Sequence, residues 1–181
     1  MPNYIQTGAA NRIYLVALDL KRSVMDLKAL VGWVSSTGAP ESIRFNTAIY
    51  SAQGRDLTFA QISAGTALQN LPPVRLVPGT ESSIAVTTSA SIEVPYQAIL
   101  PSAVRLQGHR NRYFLAFSSS SANAQWAAPG LIGAGSLAMS AIEPMTTSGW
   151  PTLLTRSGNS TTLGYTPVFQ LLSEKGAMGL F

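Results

Sequence analysis

Apolar residues in this chain recur with period two in short runs, and turn-forming residues separate the runs. Ile13, Leu15 and Ala17 alternate with Tyr14, Val16 and Leu18, so both faces of that segment are apolar. Such a run suits a strand buried on both sides. Phe45, Thr47 and Ile49 interleave with Asn46, Ala48 and Tyr50, and Ser51-Ala52-Gln53-Gly54 follows as a turn. Tyr113, Leu115 and Phe117, interleaved with Phe114 and Ala116, give the strongest strand signal. At least two of these three side chains are expected to line the core. Further strands are predicted at Leu57 to Ile62, Val74 to Val77, Ser83 to Thr88, Ser91 to Val94, Leu137 to Ile142 and Pro167 to Leu172. Pro72, Pro73, Pro78 and Gly79 break the chain between some of them.

One stretch reads both ways. In Ser23 to Val34, period two puts Met25, Leu27, Ala29, Val31 and Trp33 on one face, whereas a helix would line up Val24, Leu27, Val31 and Val34. Periodicity does not settle short apolar runs. The flanks favour a strand, and this is the one place with room for a short helix. The pattern as a whole predicts an all-β fold: an antiparallel β-sandwich, jelly-roll-like, with about 8–10 short strands. Residues 1–11 read as an N-terminal arm, 12–175 as a single sandwich domain and 176–181 as a C-terminal tail. The Ser118 to Asn123 run reads as a long exposed loop.

Composition narrows the class. Of 181 residues 46% are hydrophobic and only 11% charged. Disorder needs the opposite balance, and a coiled coil needs charged heptads. The net charge of +4 comes from scattered residues. The one basic group, Arg105, His109, Arg110 and Arg112, reads as a solvated turn leading into a strand rather than a nucleic-acid footprint. There is no cysteine, which excludes disulfides and thiolate chemistry. No secretion signal or apolar span is visible, so the chain is expected to be made in a cytoplasm and to have no membrane partner.

Candidate chemistry is sparse. His109 is the single histidine and cannot build a His-rich metal site. The eight carboxylates form no distinguished pair for glycoside hydrolysis and no Asp-rich calcium loop. Gly130 to Gly135 has neither the dinucleotide spacing nor the Lys-Ser/Thr ending of a phosphate loop. No catalytic, metal or cofactor residue is therefore nominated. Trp33 lies in an apolar run and reads as core. Trp126 and Trp150 fall in loop contexts, where an aromatic either stacks on a sugar, anchors an interface or folds back onto the core. The terminal Met178, Leu180 and Phe181 are apolar groups expected to dock on a neighbouring chain.

Two segments carry a family resemblance. Ala48-Ile49-Tyr50-Ser51-Ala52-Gln53-Gly54 and Asn111-Arg112-Tyr113-Phe114-Leu115-Ala116-Phe117, the latter preceded by Leu106-Gln107-Gly108, together resemble the jelly-roll modules of tailed-bacteriophage virion proteins. Trp150-Pro151 and the strand at Val168 fall where such modules have similar features. The resemblance spans Arg12 to Leu172 and encodes a fold more than an activity. It implies a non-enzymatic structural protein of the virion, a capsid cement or decoration protein or a baseplate or fibre component, made in the host cytoplasm. Other virion proteins would be its partners, with a homotrimer as its assembly. The alternatives are a receptor-binding tail-fibre module that recognises host glycans, with Trp126 or Trp150 as ligand contacts, and a glycan-processing enzyme.

Overall fold

The computed structural model describes residues 3–6, 10–18, 20, 24–53, 74–90, 92–108, 111–128, 138–139, 149–154, 162–163, 169–173 and 176–180. Only the backbone is described at 3–6, 17, 53, 128, 138–139, 162–163 and 176–180. The described residues contain no helix. Their strands are β1 (Asn3–Gln6), β2 (Tyr14–Leu18), β3 (Met25–Ser36), β4 (Glu41–Gln53), β5 (Val74–Leu76), β6 (Ser82–Thr88) and β7 (Val94–Leu106) in the first part of the chain. β8 (Asn111–Ser119), β9 (Ala124–Ala128), β10 (Ala138–Met139), β11 (Leu153–Leu154), β12 (Thr162–Leu163), β13 (Phe169–Ser173) and β14 (Gly176–Leu180) follow. These are fourteen strands where about 8–10 were expected, the surplus being mostly short edge pieces.

Two antiparallel sheets, one of them curled into a half-barrel, make the fold. Sheet one runs β1-β9-β3-β13-β14, with β7 also on β3. Sheet two runs β11-β5-β4-β8-β2-β10-β12, with β6 also on β4. The all-β sandwich expected from the alternation is the fold observed.

The core between the sheets is aromatic. Tyr14, Val16, Phe45, Ile49, Tyr113, Leu115 and Phe117 of sheet two meet Leu30, Tyr96, Leu100, Trp126, Phe169 and Leu171 of sheet one. Tyr113, Leu115 and Phe117 all line it, as the alternation in β8 predicted. The opposite face of sheet two is apolar as well. Ile13, Leu15, Ala48, Tyr50, Phe114 and Ala116 form a second cluster with Val74 and Leu154. The doubly apolar reading of Ile13 to Leu18 therefore holds: Ile13 and Leu15 face outward into this cluster, Tyr14, Val16 and Leu18 inward.

The ambiguous stretch is a strand, β3, but its faces differ from those expected. Leu27 pairs with Val104 and Ala29 with Ile99, so β7 passes residues 100–103 against the single residue Lys28. Such a bulge shifts the alternation by one. Met25 and Leu27 point inward before it, and Leu30 and Val34 after it. Val31 and Trp33 are thereby turned to the outside, half-buried, which corrects the placement of Trp33 in the core. The Lys28 ammonium donates to the Pro101 carbonyl at 3.2 Å and so closes over the bulge.

Three other readings change. The long strand β7 was missed beyond Val94, because Pro95 and Pro101 look like breakers. Both are tolerated, since β7 pairs on one side only among the described residues. The Ser-rich run is no long exposed loop. Ser118 and Ser119 are the buried end of β8, and residues 120–123 alone carry the chain across to β9 in the other sheet. The serines make that short crossing: Ser119 Oγ donates to the Ser121 carbonyl at 3.0 Å, and Ser121 Oγ accepts from the Asn123 N–H at 3.2 Å. Finally, Ser51 to Gln53, which read as a turn, continue β4 and pair with β8. Residues 3–6 pair with β9 and residues 176–180 with β13.

Candidate functional site

Trp126 is the centre of the inter-sheet core. It is 1% exposed, and its ring lies 5.1 Å from Phe45, 5.4 Å from Tyr96, 5.4 Å from Phe117 and 5.2 Å from Phe169. Phe45, Tyr96 and Phe117 meet it edge to face and Phe169 is tilted against it. A side chain so enclosed presents nothing to a ligand, which corrects its nomination as a contact residue. β9 places it there: Trp126 pairs with Val34 of β3, and its ring enters the core beside Val34. Among the described residues its Nε1 has no hydrogen-bond partner.

Trp150 is half-buried on the outer cluster of sheet two, 6.2 Å from the Tyr50 ring. The Tyr50 hydroxyl donates to the Pro151 carbonyl at 2.6 Å, so this Trp-Pro segment is held as a cover over sheet two. Met178 and Leu180 lie in β14, described by its backbone alone, and Phe181 lies outside the described residues, as does His109. Among the described residues no group of three His, Cys, Asp or Glu side chains comes together. No helix among them is long and apolar enough to cross a membrane.

The surface that remains is the outer face of sheet one. The bulge at Lys28 turns Val31 and Trp33 onto it. Beside them β7 contributes Pro95, Gln97 and Ile99, since Tyr96, Ala98 and Leu100 point inward. Register puts Trp33 opposite Pro95 and Val31 opposite Gln97. On the other flank Val31 faces Gln170 of β13, and Leu172 pairs with Ala29, whose partner on β7 is Ile99. Ile99 is 63% exposed, the most exposed large apolar side chain among the described residues. Among the described residues, this face carries no charge from Trp33 to Ile99. Lys28 lies at the bulge itself, and Asp26 and Arg105 lie beyond it.

The described side chains of this face are apolar or carry amides. The face holds an aromatic ring, aliphatic groups and two amides, which suit burial against a protein or stacking on a sugar. Tyr14 and Tyr96 are buried in the core between the sheets. Tyr96 hydrogen-bonds Thr47 across the core at 2.8 Å. Burial raises its pKa above the ordinary tyrosine value, and the hydrogen bonds to Thr47 and Ser82 lower it in part. Burial likewise raises Tyr14, and the neighbouring Arg12 charge opposes the shift.

No sequence signal marked this face, because its residues come from three segments that only register brings together. Compared with known proteins, the chain matches no family model, no curated protein and no solved structure.

Proposed function

We propose that this protein is a non-enzymatic structural component of a tailed-bacteriophage virion, acting through surface burial against neighbouring virion proteins. The uncharged outer face of sheet one supports the reading best. Ile99 and the half-buried Trp33, Val31 and Leu172 form an apolar strip that a partner can cover without desolvating any ion. Patches of this kind mark interaction surfaces. The resemblance of the segments 48–54 and 111–117 to virion modules supplies the setting. The experiment is sedimentation of a phage lysate through a density gradient. The chain should band with intact particles, and Ile99→Asp with Trp33→Asp should release it to the soluble fraction while its melting temperature stays within a few degrees. A wild-type chain found only in the soluble fraction would refute the proposal.

A second reading is recognition of host glycans, with Trp33 joining Trp150 as a candidate contact in place of the enclosed Trp126. Trp33 is a half-buried aromatic near the Gln97 and Gln170 amides on the outer face of sheet one. A glycan-array signal abolished by Trp33→Ala would favour this reading over the first.

A further inference from the structure

The strands at the margins of the two sheets are protected unequally. β7, thirteen residues long, carries Pro95, Pro101, Arg105 and the bulge, each of which discourages a further strand. β11 and β12 are two residues long. β1 has four residues, and β14 contains two glycines. β6 differs from all of these. It is seven residues long, Ser82-Ser83-Ile84-Ala85-Val86-Thr87-Thr88, with no proline, glycine or charge. Among the described residues it pairs with β4 alone. Its Ser83, Ala85 and Thr87 are exposed, and Ile84 and Val86 cover the core only in part. A short uncharged β-branched segment on a free edge is a template for another strand.

The order of residues in β6 indicates which strand. Read from either end, it runs hydroxyl, hydroxyl, β-branched, Ala, β-branched, hydroxyl, hydroxyl. We propose that the free edge of β6 pairs with the same edge of a second copy of this chain, antiparallel about a twofold axis at Ala85. A twofold contact uses one patch on both subunits and so must be complementary to itself. In this register Ile84 lies opposite the partner's Val86, and Ser83 opposite the partner's Thr87. β-Branched pairs and hydroxyl pairs are both favourable across antiparallel strands. Sheet two then continues through the axis from one copy into the next. The half-buried Ile84 and Val86 lose their remaining exposure. The pairing replaces the threefold assembly that the resemblance implies, and it does not depend on the virion reading.

Two variants test it. Ala85→Lys sets two ammonium groups against each other at the axis, on a side chain that is exposed in the single chain. Ser83→Glu with Thr87→Lys instead sets opposite charges across the axis twice. Sedimentation velocity of the full chain should give twice the 19.1 kDa chain mass. Ala85→Lys should raise the dissociation constant at least tenfold, with the melting curve of the dilute protein unchanged. The double variant should remain a dimer at low salt. Amide exchange over residues 82–88 should be slowed in the wild type and fast in Ala85→Lys. A wild-type chain that stays monomeric at high concentration, or a dimer or trimer whose mass ignores Ala85→Lys, would overturn the proposal.

Discussion

The two faces of sheet two are both apolar, yet they are built differently. The inner face meets a second sheet, and its Phe117 is clamped by Tyr14 at 5.3 Å, Trp126 at 5.4 Å and Phe169 at 6.2 Å. The outer face carries Phe114, three residues away on the same strand, under a cover that includes Leu154 and the half-buried Trp150. Among the described residues, equal burial of two phenylalanines on one strand thus rests on unlike surroundings: interlocked rings from paired strands on one side, a short two-stranded margin on the other. The comparison separates how deeply a residue is buried from how rigidly its neighbours are held.

The largest expected effect tests that separation directly. Phe117→Ala should cost about 3–5 kcal/mol, because two hydrogen-bonded sheets cannot close around the void. Phe114→Ala removes the same atoms from a site whose cover can settle inward, so its cost should lie at or below about 3 kcal/mol, the low end of that range. Urea titrations of the two variants give both numbers. A loss in Phe114→Ala equal to or above that in Phe117→Ala would show that the outer cluster is locked as firmly as the inner core.

Next in size is Tyr96, whose hydroxyl pairs with Thr47 inside the inner core. Tyr96→Phe leaves the Thr47 hydroxyl buried with one partner fewer, at a cost of about 1–3 kcal/mol at neutral pH. The same variant has a pH signature. Burial raises the Tyr96 pKa, so the folded chain keeps this proton where the unfolded chain has lost it. The stability tied to that proton is whole below the ordinary tyrosine value near 10 and is lost as pH rises from there through the folded value. Tyr96→Phe should therefore flatten part of the alkaline fall in stability, leaving the share due to Tyr14, which is also raised. An alkaline limb identical in wild type and variant would mean that water reaches Tyr96.

What was legible in the sequence followed the same division between regular and interrupted pairing. β2, β8 and the middle of β4, Phe45 to Tyr50, are readable because alternation in them runs unbroken and their β-branched and aromatic residues suit a pleated surface, whereas Ser51 to Gln53 read as a turn and are strand. β3 was readable as a strand but not in its facing, since nothing in Lys28 itself announces a bulge that depends on residues 100–103 of another strand. β7 was hidden by Pro95 and Pro101, which mean an edge when the strand has one free side and a break when it has none. Trp126 was misplaced because the serines before it were counted as a loop, whereas two belong to β8 and the rest form a tight crossing. The outer face of sheet one was not legible at all. Trp33, Ile99 and Leu172 become neighbours only through the register of β3 with β7 and β13.

The smallest expected effect returns to the outer face. The Tyr50 hydroxyl donates to the Pro151 carbonyl at 2.6 Å, and its ring meets Trp150 edge-on. Tyr50→Phe keeps the ring and the apolar burial and removes the hydrogen bond to Pro151. The carbonyl left behind belongs to a half-buried proline, so water can replace the lost donor, and the net cost should be about 0.5–1.5 kcal/mol. Tyrosine to phenylalanine is thus the same chemical change at positions 50 and 96, with the dry inner position expected to lose more. The cover should also loosen, and collisional quenching of Trp150 fluorescence in a background with Trp33→Phe and Trp126→Phe should rise in Tyr50→Phe. If Tyr50→Phe instead costs as much as Tyr96→Phe and leaves Trp150 as shielded as before, the outer cover is as dry as the core between the sheets, and the contrast between the two faces of sheet two fails.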